Sequence, residues 1–248
     1  MEAYIMENMT WKEVEEALVN IEFAIIPVGA HEQHSPYIAE SCDSVRAKRF
    51  SELLAKKMHP KSIVTPTINI GVSPHHMSFP GTITLKPSTL INLLFDIVKS
   101  LYKHGINKFV FLNSHGGNDS ALGAAVDEIR ADLDVSLMSF KYTSLAPKSI
   151  KKNIKSNIYG HACEREVSEL LYLDPSIIRD SKIEKGNTID EGTYFHNKPV
   201  TVGLNFDKYT KNGALGNAKK AEYKIGEEII NEALYEAEDI IEHFINCC

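Results

Sequence analysis

A chain of 248 residues with 43% hydrophobic side chains can bury a substantial core, as one large α/β domain or two small ones. Its formal net charge of −6 argues against sequence-independent nucleic-acid binding, and the basic run Lys148 to Lys155 is short enough to be a solvated loop or helix face. No apolar stretch approaches the roughly 18 to 20 residues that cross a bilayer, the N-terminus MEAYIMENMT lacks the order of a signal peptide, and four cysteines are few for a disulfide framework; the expectation is a cytoplasmic protein with free thiols and no membrane partner.

In chain order, Thr10 followed by Glu13 forms a capping box for a first helix to about Asn20. Phe23 to Val28 reads as a strand, Ser44 to Met58 as a helix, and roughly Ser62 to Val72 as a pair of strands. Pro87 opens a helix with the apolar stripe Leu90, Leu93, Leu94, Ile97 and Leu101, which His104 and Gly105 end. Strand Lys108 to Leu112, helix Asp119 to Leu133 and strand Val135 to Phe140 continue the alternation. An apolar helix follows at Val167 to Leu173. Asp174 to Asn217 is polar and aperiodic, as suits a lid or binding loop, or equally a surface excursion or subunit contact. Ala218 to Phe244 returns to helical spacing. The alternation predicts an α/β fold of three layers, α/β/α, around a mostly parallel sheet. With no repeat or linker in view, residues 1–248 are expected to form a single domain.

Three polar clusters interrupt this pattern. In VGAHEQHSPYIAESCD, Glu32, His34 and Asp43 follow the run Ile25 to Val28, and oxygen and nitrogen ligands of this kind hold zinc, manganese or iron. Residues two apart on extended chain point the same way, so Glu32 and His34 can enter one cleft. NSHGGN brings His115 to the end of the strand Phe109 to Leu112, where ligands of α/β proteins collect. The Gly-Gly turn before a helix is also compatible with a helix cap or an anion site. HACERE, His161 to Glu166, opens the helix at Val167; there Glu166 can serve the helix dipole and Glu164 can pair with Arg165 on the outside.

These motifs, with TWKEVEEAL from Thr10, SFPGTITL from Ser78 and HGINKFVFLNSHGGN from His104, resemble the creatininase family of metal-dependent amidohydrolases across most of the chain. The resemblance implies a creatininase-like α/β fold, two divalent metal ions per chain, and hydrolysis of a C–N bond in an amide, cyclic amide or formamide of a small-molecule substrate. It also implies a homo-oligomer, often a hexamer. Carried over by position, Glu32 and His115 resemble ligands of one ion, His34 resembles a ligand of the other, and Asp43 resembles the bridge. A bridge of that kind holds ions roughly 3.5 to 4 Å apart and lets a shared water lose its proton near neutral pH. His161 and Glu166 match positions that move protons or, for Glu166, complete the second metal's shell.

The resemblance places HHMSFPGT on the substrate side, with His76 as a substrate contact and His75 as a solvent or packing residue. Asn118 is assigned to substrate binding, or to orienting His115 and the HGG turn. The chain also departs from the family. Enzymes acting on creatinine carry Tyr and a ligating Glu after the metal-binding His, where Gly116 and Gly117 stand here, and Trp11 is the only tryptophan. Creatinine is therefore not the expected substrate. Cys42 and Cys163 adjoin the clusters and are read as free thiols, with pocket lining as the alternative. A creatininase fold that holds metal or a small ligand without turnover is the alternative to an enzyme.

Overall fold

The computed structural model describes residues 2–195, 198, 200 and 202–247. Apolar runs form a wholly parallel sheet from β1 (Tyr4–Ile5), β2 (Phe23–Val28), β3 (Ser62–Val64), β4 (Lys108–Asn113) and β5 (Ser136–Lys141), in the order β1-β3-β2-β4-β5. Around it lie α1 (Trp11–Ala17), α2 (Cys42–Lys57), α3 (Pro87–Tyr102), α4 (Asp119–Asp132), α5 (Pro147–Asn153), α6 (Glu164–Leu173), α7 (Asp190–Thr193) and α8 (Tyr223–Cys247). No described helix is long and apolar enough to cross a membrane.

Strand alternation feeds two cores. Phe23, Ile25, Val110 and Leu112 pack on one face with Phe50 and Leu54 of α2 and Ile229, Ile230 and Ile241 of α8. Ala24, Ile26, Val28, Phe109 and Phe111 pack on the other with Leu90, Leu94 and Val98 of α3 and Leu122 and Ile129 of α4. Burying both faces of a sheet requires near-continuous apolar strands, and all six residues of β2 are buried. This is the α/β/α layering the alternation predicts.

The strand order reverses between β2 and β4, and this positions the site. Val28 pairs with Asn113, so the two chains leave the sheet side by side. One continues toward α2 on the first face and the other enters α4 on the second, which opens a crevice at their carboxyl ends.

Several expected boundaries shift. The capping box is present, with Glu13 N–H donating to Thr10 Oγ1 and Thr10 N–H to Glu13, but α1 ends at Ala17. The expected strand pair to Val72 reduces to β3 and an isolated bridge from Val28 to Ile68, because Pro66 has no N–H to donate and turns the chain out of the ladder. The basic run forms α5 against α8, where Lys152 Nζ lies 2.8 Å from Glu228 Oε2.

Candidate metal centre

Glu32 and His34 sit on the loop after β2, Asp43 in the first turn of α2, His115 just beyond β4, and His161 and Glu166 at the entry of α6. All six are less than one-tenth exposed. His115 Nδ1 lies 3.3 Å from Glu32 Oε1 and 3.2 Å from Asp43 Oδ2. On the other side of Asp43, His34 Nε2 lies 3.7 Å from Asp43 Oδ1 and 3.9 Å from Glu166 Oε2. The two oxygens of Asp43 thus face two separate groups of donors.

Backbone contacts fix the rings. His115 Nε2 donates to Val72 O at 3.1 Å, leaving Nδ1 toward the carboxylates. His34 Nδ1 donates to Glu32 O at 3.1 Å, which leaves Nε2 open. His161 Nε2 donates to Gln33 O at 2.7 Å, and its Nδ1 stands 3.6 Å from Glu32 Oε1. His76 is oriented the other way: its Nδ1 lies 2.9 Å from Gln33 Nε2, and its Nε2 faces Glu32 Oε1 at 3.5 Å. His76, Glu32 and His161 are also close enough together to share a cation. Ser35 and Ala162 have φ of 61° and 46° and directly follow His34 and His161. Such strain persists where surrounding structure over-determines the backbone, as at functional sites.

The donor set fits divalent cations. Both oxygens of Glu32, Nε2 of His34 and Oδ2 of Asp43 are buried with no hydrogen-bond partner, a costly state unless a cation compensates. Glu164 lies apart from this balance, since Ser156 and Asn217 N–H groups donate to its two oxygens. Around the centre, four buried carboxylates (Glu32, Asp43, Glu166, Glu169) then face two guanidinium groups (Arg46, Arg165) and the His115 imidazole, which leaves negative charge in excess. Burial alone would depress the His115 imidazole, but Glu32 and Asp43 outweigh it and hold it well above its ordinary range. Burial likewise opposes ionisation of Asp43 and Glu166, yet His34 and His115 for the first, and Arg46 and Arg165 for the second, keep both below the usual carboxylate range. His161, desolvated and beside His34, falls to about 4 and is neutral at pH 7.

Glu32, Asp43, His115, His161 and Glu166 line a cavity of about 450 Å³. Its opposite wall comes from the aperiodic segment, including Val202, Leu204, Phe206 and Tyr209. The Phe206 ring lies 4.2 Å from His76 and 4.7 Å from His161, centroid to centroid. The described part of the segment therefore walls the site, as the lid or binding-loop reading of its sequence expects.

Other expectations need correction. Asn118 does not line the cavity: it is fully buried, receives Val72 N–H at 2.9 Å and donates to Gly29 O at 3.0 Å and to Asn113 Oδ1, which also takes the His115 N–H, so its contacts agree with the alternative of orienting the His115 turn and not with substrate binding. His75, expected at solvent or in packing, lines the cavity and lies parallel to His115 at 5.8 Å. Glu164 anchors two loops rather than pairing with Arg165, which instead meets Glu166 and Glu169. Cys42 and Cys163 are buried and do not line the cavity, and burial pushes the Cys163 thiol up to about 11. Gly117 has no space for a side chain: a Cβ there would lie 2.2 Å from Val72 O and 2.3 Å from His115 Nε2.

Sequence reasoning passed over Gln33 and Arg46. Gln33 is buried between Glu32 and His34 and links the two sides of the cavity, donating to His76 Nδ1 and to Gly213 O. Its position inside the EQH motif was the available signal. Arg46, one turn after Asp43 on the same helix, is fully buried and carried no signal beyond that spacing.

A family profile described as creatininase, creatinine amidohydrolase, matches residues 7–241. The chain belongs to the creatininase family. It is 29% identical over 172 residues to the mycofactocin precursor peptide peptidase of Mycobacterium ulcerans (strain Agy99), covering 66% of this chain and 63% of that protein. It is 26% identical over 189 residues to the creatinine amidohydrolase of Pseudomonas putida, covering 69% and 72%. The chain thus spans under two thirds of the peptidase's length. A crystal structure of creatinine amidohydrolase superimposes with a TM-score of 0.82 at 23% identity, over 98% of this chain and 99% of the other, which shows the shared fold. Similar solved structures include a manganese creatininase and a variant of zinc–zinc type.

Proposed function

We propose that this creatininase-family chain is a metal-dependent amidohydrolase that cleaves a C–N bond of an amide, cyclic amide or formamide. The observation that carries the reading is the Asp43 carboxylate, with Oδ2 toward Glu32 and His115 and Oδ1 toward His34 and Glu166. Glu32, His115 and Asp43 would hold one divalent ion, and His34, Glu166 and Asp43 the other. These oxygen and nitrogen donors suit zinc, manganese or iron. Glu166 supplies the carboxylate that Gly117 cannot. When bound, such a pair activates water and polarises a carbonyl.

The chain's own residues then divide the remaining work. His161 is neutral with its Nδ1 lone pair turned inward, so it accepts the proton released in the attack and returns it to the departing nitrogen. Glu166 is the weaker proton acceptor, since Arg46, Arg165 and the Ala162 N–H favour its ionised form. Phe206 and the neighbouring apolar residues give the cavity a wall for the apolar part of a substrate. His76 and His75 stand where a substrate would pass between that wall and Glu32.

Turnover on a panel of cyclic amides, formamides and short amides tests the reading. The expected result is hydrolysis that stops on chelation and returns with metal. Metal binding with no turnover across the panel would favour a binding module instead. The homo-oligomer that the family implies, a hexamer by expectation, is measured separately by light scattering.

A further inference from the structure

Arg46 is a buried charge that the proposed chemistry does not use. Its side chain has no exposure, a state that costs several kcal/mol per ion unless the charge is well matched. The match is specific. Nη1 donates to Asp43 Oδ1 at 3.0 Å and to Glu166 Oε1 at 2.9 Å, and so joins the two carboxylates assigned to the second ion. Nε donates to Glu169 Oε2 at 2.8 Å and to Tyr142 Oη at 3.0 Å. Nη2 lies 2.6 Å from Glu169 Oε2, close as an ion pair though off the hydrogen-bond direction. Tyr142 Oη in turn donates to Glu169 Oε2 at 2.6 Å, and Arg165 Nη1 donates to Glu169 Oε1 at 3.1 Å. Glu169 is fully buried, and the cavity does not reach it, Tyr142 or Arg46.

We infer that Arg46 is a positioning residue for the metal centre, with Glu169 and Tyr142 as the anchor that holds its guanidinium in place. The two N–H groups of Nη1 grip one oxygen of Asp43 and one of Glu166. With those held, Asp43 Oδ2 is turned to His115, and Glu166 Oε2, which also takes the Ala162 N–H at 2.6 Å, is turned to His34. An ammonium could donate to both oxygens from its one nitrogen, but only a planar group with further nitrogens holds Glu169 and Tyr142 at the same time. The anchor is needed because the guanidinium must stay behind the carboxylates and not move into the space between them. A buried ion network of this kind is weak support for stability by itself, so its role lies in orientation. The inference rests on the metal-centre reading above.

The test is a zinc titration of the metal-stripped full-length protein, wild type against Arg46→Met, Arg46→Lys and Glu169→Gln, with melting of each metal-free form as the control for folding. Outer partners of metal ligands typically contribute about 10–100-fold in affinity, and Arg46→Met is expected to weaken at least one zinc equivalent by that factor. Arg46→Lys keeps the charge without the fork and falls between wild type and Met. Glu169→Gln weakens binding in the same direction by less. If charge alone mattered, removing the guanidinium would draw zinc in more tightly. Equal or tighter zinc binding by Arg46→Met, or by Arg46→Lys should the Met variant fail to fold, overturns the inference while leaving the metal centre standing. A wild type that binds no zinc overturns both.

Discussion

The cavity has two walls of different origin. On one side, Glu32 and His115 stand just past the ends of β2 and β4, neighbouring strands whose register sets their two loops side by side. On the other, Phe206 and Tyr209 come from a segment with little regular structure, tied down by contacts distant in sequence, such as Gln33 to Gly213 and Ser35 Oγ to Asn212 O. The first wall holds nearly all the charge and follows from local sequence acting through the sheet. The second is mostly apolar and follows from tertiary contacts. In the proposed reading the chemistry would rest on the rigid scaffold, and the part that would meet the rest of a substrate would be carried by a loop.

The largest effects should come from the first wall. Glu32→Ala should remove the ion shared with His115 and His34→Ala the other, each with a loss of affinity beyond the about 10–100-fold of outer partners, read by metal titration. Turnover should fall with both, while melting of the metal-free proteins stays close to wild type. Gly117→Ala should come next. Its Cβ has no room beside Val72 O and His115 Nε2, and overpacking of that kind costs about 1–3 kcal/mol, seen as a lower melting temperature together with weaker metal binding.

The second wall should respond differently. Phe206 is 8% exposed, but it packs on His76 and His161 at a cavity and not in either main core. Phe206→Ala should therefore destabilise by less than the about 3–5 kcal/mol of a core phenylalanine, leave metal content unchanged, and raise KM more than it lowers kcat. An equal loss of bound metal in Phe206→Ala would erase the distinction between the walls. Away from both, Thr10→Ala should cost about 1 kcal/mol through the lost cap of α1, with no effect on metal or turnover.

The same division explains what was legible in the sequence. Phe23–Val28 was readable to the residue, because a strand buried on both faces must be apolar throughout. Glu32, His34, Asp43 and His115 were readable as a group because each lies a short step from such an element. The strand expected out to Val72 failed at Pro66, whose missing N–H outweighed the β-rich composition around it. β1 is two residues long, too short to show a period. Asn118 looked like a site residue by proximity to His115, but its amide is consumed by Val72 and Gly29 backbone, pairings that only the folded loops create. Phe206 and Arg46 were hidden for a related reason. A phenylalanine in a polar stretch and an arginine on a helix have no local mark of burial, and their partners lie far along the chain.

Elemental analysis of protein purified without chelator, for wild type and Asp43→Ala, tests the central claim most directly. Asp43 is the residue whose two oxygens face the two groups of donors, so the account predicts two divalent ions per wild-type chain and a sharp fall in the variant, with the fold retained. One ion or none in metal-replete wild type, or two in Asp43→Ala, would contradict it.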